Sequence, residues 1–352
     1  MRKESQDFLR KLLESPSPSG YEQPGQKVVR QYMERFADEV RTDVHGNVIG
    51  VLNPAGKLRV MFAGHVDEIG FMVKHVNDQG YIYFAAIGGV DANLVPGQRL
   101  SIYTEKGTLL GVVGKKAIHL MEPEEKTKAA KLESLWIDIG AKNKKDAQKM
   151  VAIGDPITFA SKVENLANNL IVSRGTDDKV GSFVVAETLR LLNGQKFKAA
   201  VYSVSTVQEE IGLRGAKTSA YGIDPHVGVA VDVGFCSDYP GADKNTLGDV
   251  SMGKGPILHR GPNINPVVGK KLVETAKKAK IPYQMVGEPR ATGTDANVIQ
   301  ISRAGVAAGL VSIPNRYMHT PVEVVSLNDL ENAAKLLAEF VKGLSERVDF
   351  TP

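Results

Sequence analysis

Five short segments of the chain combine residue types that bind cations, and four of them sit where an apolar run stops. His65 follows the run VMFAG, and Asp67 lies two residues on. A metal-binding imidazole commonly gives its other ring proton to a carboxylate, and His-x-Asp supplies one locally. Asp177 and Asp178 stand together in a glycine-flanked loop ahead of an apolar helical pattern, where aspartates also serve simply as helix caps. Glu209 and Glu210 close the run ending at Val207, and adjacent carboxylates repel unless a cation or a shared proton relieves them. Asp232 ends another apolar run, and His319 follows a third in the segment RYMHTPVE.

Together His65, Asp177, Glu210, Asp232 and His319 offer two imidazoles and three carboxylates. That donor set suits Zn²⁺ or Co²⁺ first, and Mn²⁺ also. One bridging carboxylate with two private ligands per ion leaves room for a shared water, which would be the nucleophile of a hydrolysis. A second glutamate beside a ligand can take the proton of that water and pass it to a departing amine.

The elements around these segments alternate. Phe8, Leu9, Leu12 and Leu13 share one helical face, and Val28, Val29, Tyr32, Met33 and Phe36 share another. Asn47 to Leu52 and Leu58 to Ala63 read as strands, the second a continuous apolar run suited to a buried central position. From Ile69 to about Ala160 short β-rich runs separated by glycine turns predict a small all-β domain, with only AKNKKDAQKM helical. Beyond Leu170 the pattern predicts a helix Val180 to Leu192, strands Lys198 to Val207 and Val227 to Val233, and a helix Val268 to Ala279. A helix around Asp295 to Ser302, a strand Val306 to Ser312 and a closing helix Leu327 to Leu344 complete it. The expected architecture is α/β: a layered domain (residues 1–68 and 164–352) interrupted by a β insert (69–163). In open α/β sheets ligands gather at the strand ends, where these polar residues fall.

The segments GHVDEIGFMV, DDKVG, QEEIGLRGA, AVDVG and RYMHTPVE, in this order, resemble the M42 family of metallopeptidases, which includes the tetrahedral and deblocking aminopeptidases. The resemblance runs over nearly the whole chain. It implies a three-layer α/β/α catalytic domain with a barrel-like insert, and a two-metal aminopeptidase that removes first residues from peptides. It further implies that His65 and Asp232 hold one ion, that Glu210 and His319 hold the other, and that Asp177 bridges them. Glu209 becomes the general base and Asp67 orients His65. Asp178 shapes the loop, and motif alignment alone decides between it and Asp177. Lys179 stands where the family often has arginine. The position of the insert, between the His65 motif and the Asp177 loop, separates this chain from the M20 and M28 peptidases. The family also implies a homo-oligomer, a tetrahedral dodecamer in which the insert helps dimers join. Two other readings are an endoglucanase-like hydrolase of the same family and an inactive scaffold.

Composition narrows the rest. A net charge of +4 is spread over helix faces with no aromatic-basic platform, so no nucleic-acid partner is expected. No run approaches the ~18 apolar residues of a membrane span. The opening segment lacks a secretory h-region, and the single cysteine, Cys236, cannot form an internal disulfide, which points to the cytoplasm. Cys236 is expected to be a small buried residue. His45, His75, His226 and His259 have no carboxylate pair beside them and are expected at the surface or in packing. His119 lies where family members carry a histidine between the two domains.

Overall fold

The computed structural model describes residues 1–352. Helices α1 (Lys3–Glu14) and α2 (Gln23–Met33) open the chain, followed by strands β1 (Glu39–Thr42), β2 (Val48–Leu52) and β3 (Arg59–His65). The insert holds β4 (Gly70–Val76), β5 (Ile82–Ile87), β6 (Arg99–Thr104), β7 (Gly107–Gly114), α3 (Pro123–Lys126), β8 (Trp136–Asp138), α4 (Lys144–Ala147) and β9 (Pro156–Phe159). The chain returns through β10 (Glu164–Asn165) and β11 (Leu170–Ser173) to α5 (Thr176–Leu192), β12 (Ala200–Thr206), α6 (Arg214–Ile223) and β13 (Val227–Phe235). Then come α7 (Lys244–Leu247), β14 (Ile257–Arg260), α8 (Pro266–Ala279), β15 (Gln284–Gly287), α9 (Ala296–Gln300), β16 (Ala307–Arg316), β17 (Glu323–Ser326) and α10 (Leu327–Gly343).

One large sheet runs β1-β2-β12-β3-β13-β16-β17-β11-β10, with β14 paired to β16 and β15 to β14. Its centre, β12-β3-β13-β16, is parallel. Side chains alternate across such a sheet. Val60 and Phe62 of β3 therefore enter one core with α1, α2, α5, α8 and α10. Met61 and Ala63 enter another with α6 and α9. Because both faces are covered, β3 is apolar from Val60 to Gly64, which is why its run is continuous in the sequence. The three-layer α/β/α arrangement is as expected.

The insert is a closed barrel, β4-β5-β8-β7-β6-β9. Phe71, Phe84 and Phe159 meet edge to face at its centre, in a core separate from the main one. The helix expected over AKNKKDAQKM shrinks to one turn, α4, capped by the Asn143 side chain. Strand β14, between β16 and β15, and the edge strand β15 were not evident in the sequence because each has only 4 residues, too few to show alternation. Helix α6 was also missed: Thr218 and Ser219 in its middle hydrogen-bond back to the Gly215 carbonyl, and such residues weaken the helical signal.

Where β3 ends, its backbone lies directly against the start of α5. A Cβ at Gly64 would lie 2.3 Å from the Gly181 carbonyl carbon, and the Ser182 hydroxyl donates to the Gly64 carbonyl at 2.9 Å. Only glycine allows that approach, which sets His65 beside the Asp177 loop. Gly64→Ala should cost about 1–3 kcal/mol in urea unfolding. A variant as stable as the parent would show that this backbone approach is not required.

Candidate metal centre

The parallel register sets one edge of the sheet. Thr206, the last residue of β12, lies opposite His65, the last of β3, and Asp232 in β13 lies opposite Ser312 in β16. The loops leaving these strand ends carry Glu209 and Glu210 after β12 and His319 after β16. Asp177 and Asp178 open α5 with non-helical backbone angles and are joined by a cis peptide bond. The local departure from helix turns both carboxylates back toward the sheet edge.

Asp177 occupies the middle of this cluster. Its Oδ1 lies 3.3 Å from His65 Nε2 and its Oδ2 lies 3.2 Å from His319 Nε2. His65 Nε2 is also 3.8 Å from Asp232 Oδ1 and 3.7 Å from Glu209 Oε2, while His319 Nε2 is 3.5 Å from Glu210 Oε2. Both rings are fixed through their other nitrogen. His65 Nδ1 donates to the Asp67 carbonyl at 3.0 Å, and His319 Nδ1 donates to the Gly89 carbonyl at 2.9 Å. A carbonyl can only accept, so the proton sits on Nδ1 and Nε2 faces the carboxylates as a ligand atom. In each of two groups, His65 with Asp177 and Glu210, and His65 with Asp178 and Asp232, the ligand atoms lie within 4.8 Å of one another.

The electrostatics call for cations. Burial, with repulsion from Asp232, Asp295 and Asp177, pushes the Glu209 carboxyl up to about 10. Burial and the Asp177 and Asp295 charges push Asp232 up to about 8, and Glu210 is raised well above the usual range by burial and Asp177. Asp177 goes the other way: burial pushes it up, but the His319 and His65 rings, when protonated in the absence of a metal, hold it below the ordinary carboxylate range. Glu210 Oε1 and Asp295 Oδ1 are buried with no hydrogen-bond partner. Divalent ions would let these carboxylates ionise together and would answer the orphaned Glu210 oxygen, so the residues present fit a metal centre.

Neighbouring side chains hold the cluster in place. The Asp67 carboxylate accepts from Ser19 Oγ at 2.7 Å and from the backbone N–H groups of Glu209 and Glu210 at 3.0 and 3.1 Å. Its nearest carboxylate oxygen to His65 is 3.5 Å away, so the closer hold on the ring comes from the Asp67 carbonyl. Asp178 accepts from the His65 and Gly181 backbone N–H groups at 3.1 and 2.9 Å, which engages both of its oxygens. The Lys179 amine, fully buried, donates to Glu68 at 2.7 Å, and Arg174 pairs with the other oxygen of Glu68.

Glu323 was missed in the sequence. It is buried, and it accepts from Thr176 Oγ1 at 2.9 Å, the Asp177 N–H at 3.0 Å and the His319 N–H at 2.8 Å. A glutamate inside the apolar run VEVVS was the available signal, since a buried carboxylate needs partners. The insert contributes as well. A Cβ at Gly88 would lie 3.2 Å from Glu210 Oε2, and one at Gly89 would lie 3.0 Å from His319 Nδ1. Of the other histidines, His119 is exposed on a single turn of the insert, and His226 Nδ1 accepts from the Arg59 N–H at 3.1 Å. Cys236 is buried, and burial raises its thiol well above the usual range.

The profile of the M42 glutamyl aminopeptidase family matches residues 46–336. The chain belongs to the M42 family of metallo-aminopeptidases. A lysyl aminopeptidase of Pyrococcus furiosus is 40% identical over 98% of this chain and 99% of its own length. Among solved structures, a TET aminopeptidase from Thaumarchaeota archaeon SCGC AB-539-E09 superposes with a TM-score of 0.92 at 35% identity, covering 97% of this chain and 96% of that one. The Pyrococcus horikoshii TET1 peptidase, described as assembling into a tetrahedron or a large octahedral shell, gives a TM-score of 0.87 at 31% identity, covering 97% and 100%. As an M42 member the protein is a metal-dependent aminopeptidase with a binuclear centre, and its two ligand groups share His65.

Glu323 touches both the Asp177 loop and the His319 loop, so its removal should be felt by the ions. Glu323→Ala should weaken metal retention by about 10–100-fold in competition with a chelator, with Glu323→Gln in between. Equal affinity in all three proteins would remove Glu323 from the centre.

Proposed function

We propose that His65 and Asp232 would hold one divalent ion, that Glu210 and His319 would hold the second, and that Asp177 would be shared between them. The observation that carries this reading is the placement of Asp177 Oδ1 and Oδ2 at 3.3 and 3.2 Å from the two imidazoles. The hydrogen bonds of Asp178 to backbone N–H groups favour Asp177 as the bridge. Zn²⁺ or Co²⁺ is the first choice for these donors, with Mn²⁺ also compatible. When bound, the ions would supply Lewis acidity to the scissile carbonyl and to the attacking water.

The residues of the chain do the rest. Glu209, on the loop beside His65, takes the proton of the water and returns it to the departing amine. Asp67 holds the backbone of Glu209 and Glu210 through its carboxylate and the His65 ring through its carbonyl. The products are the first residue of a peptide and the shortened peptide.

The reading extends to assembly. The insert carries large apolar side chains in the open, among them Leu110 on β7 and Ile118 and Leu120 on a short turn. Residues 69–163 then form an association domain inserted between catalytic parts 1–68 and 164–352, and dimers join into a tetrahedral dodecamer. No helix is long and apolar enough to cross a membrane, and the proposed location is the cytoplasm. Light scattering should return a mass near twelve times 38.0 kDa. A fully active monomer would refute the assembly.

Glu209→Gln should keep both ions by elemental analysis and lose about 10²–10⁴ in kcat on aminoacyl anilides. Unchanged turnover would remove Glu209 as the base. Parallel incubation with cellulose derivatives, with and without chelator, distinguishes the aminopeptidase from an endoglucanase-like enzyme and from an inactive scaffold.

A further inference from the structure

A cavity of about 510 Å³ opens beside the metal centre. Its lining includes Val233 and Gly234, which follow Asp232, as well as Ser312, the strand partner of Asp232, and Thr294, which precedes Asp295. The size falls within the range of about 300–1,000 Å³ found for small-ligand sites. Val233, Ile257, Val286 and Leu310 make much of its wall apolar.

Two polar residues in the lining are unmatched. His259 is buried, and its Nε2 meets Ser312 Oγ at 2.9 Å, but its Nδ1 has no partner. Burial alone pushes this imidazole down to about 4, so the ring is neutral near pH 7. Glu288 is half-buried and makes no ion pair. Lys244, the other charged residue of the lining, is paired with Asp249 at 2.6 Å. The uncompensated charge of the cavity is therefore negative, and it stands at the side of a wall suited to methylenes. A lysine or arginine side chain has that form, with an apolar stem and a charged, hydrogen-bond-donating end.

We propose that this cavity receives the side chain of the substrate's first residue and that Glu288 selects a long basic one, lysyl or arginyl. This rests on the aminopeptidase reading above and adds the substrate class to it. Glu288 is a specificity residue: it has no part in holding the ions or moving the proton, so its replacement should leave turnover of uncharged substrates unchanged.

The test compares lysyl, arginyl, methionyl, leucyl and glutamyl anilides with the metal-loaded parent protein, Glu288→Gln and Glu288→Lys. The parent should favour lysyl and arginyl over methionyl by about fivefold in kcat/KM, as expected for a half-exposed charge pair. Glu288→Gln should abolish that margin through KM, with leucyl kcat unchanged, and Glu288→Lys should move the preference toward glutamyl. Calorimetric titration with L-lysinol and L-norleucinol, which lack the scissile bond, should show the same order without turnover. A parent that prefers glutamyl or uncharged residues would overturn the proposal, as would a lysyl preference that survives Glu288→Gln. Loss of turnover with every anilide would overturn the aminopeptidase reading and this inference with it. Cleavage of leucyl anilide without a basic preference would overturn the inference alone.

Discussion

Crowding of buried carboxylates is the constraint around which the protein is organised. Asp177, Glu209, Glu210 and Asp232 share a small space with two imidazoles, and burying an unpaired charge costs several kcal/mol. Without cations the cluster can relieve that cost by holding protons, as the raised Glu209 and Asp232 carboxyls show. With two divalent ions the same crowding becomes a set of ligands. Asp177, which lies between the two imidazoles, is the carboxylate proposed to be shared between the ions.

The fold meets this constraint with rigid elements. Four parallel strands deliver their ends to one edge, and the register of β12 on β3 and of β13 on β16 fixes which residues face each other there. Supports then come from distant parts of the chain: the Asp67 carboxylate pins the Glu209 loop, the Glu323 carboxylate joins the Asp177 loop to the His319 loop, and a carbonyl of the insert fixes the His319 ring. The barrel is thus part of the centre through Gly89, in addition to whatever association it supports. Its glycines at 88 and 89 leave the space that Glu210 and His319 fill.

Around the centre the chain uses paired charges where it buries them. Glu68 sits between Arg174 and Lys179, with all three side chains removed from water. Breaking one partner of such a group leaves an uncompensated charge, which is costlier than never having the pair. The cavity beside Asp232 is different in kind: the Nδ1 of its buried His259 has no partner, and its half-buried Glu288 makes no ion pair.

The sequence by itself determined the architecture and the donor types. Continuous apolar runs such as Val60 to Ala63 mark strands covered on both faces, and the change to short β-rich runs after Ile69 marks the barrel, because local periodicity reports which side of an element meets the core. His65, Asp177, Glu210, Asp232 and His319 were legible because each follows or precedes such a run. Their mutual distances, the division of Asp67 between carbonyl and carboxylate, and the role of Glu323 were decided by tertiary structure. So were Gly89 and the cavity containing His259 and Glu288. These depend on atoms brought together from segments as far apart as Gly89 and His319, and hydrogen bonds across such separations leave no periodic trace in the chain.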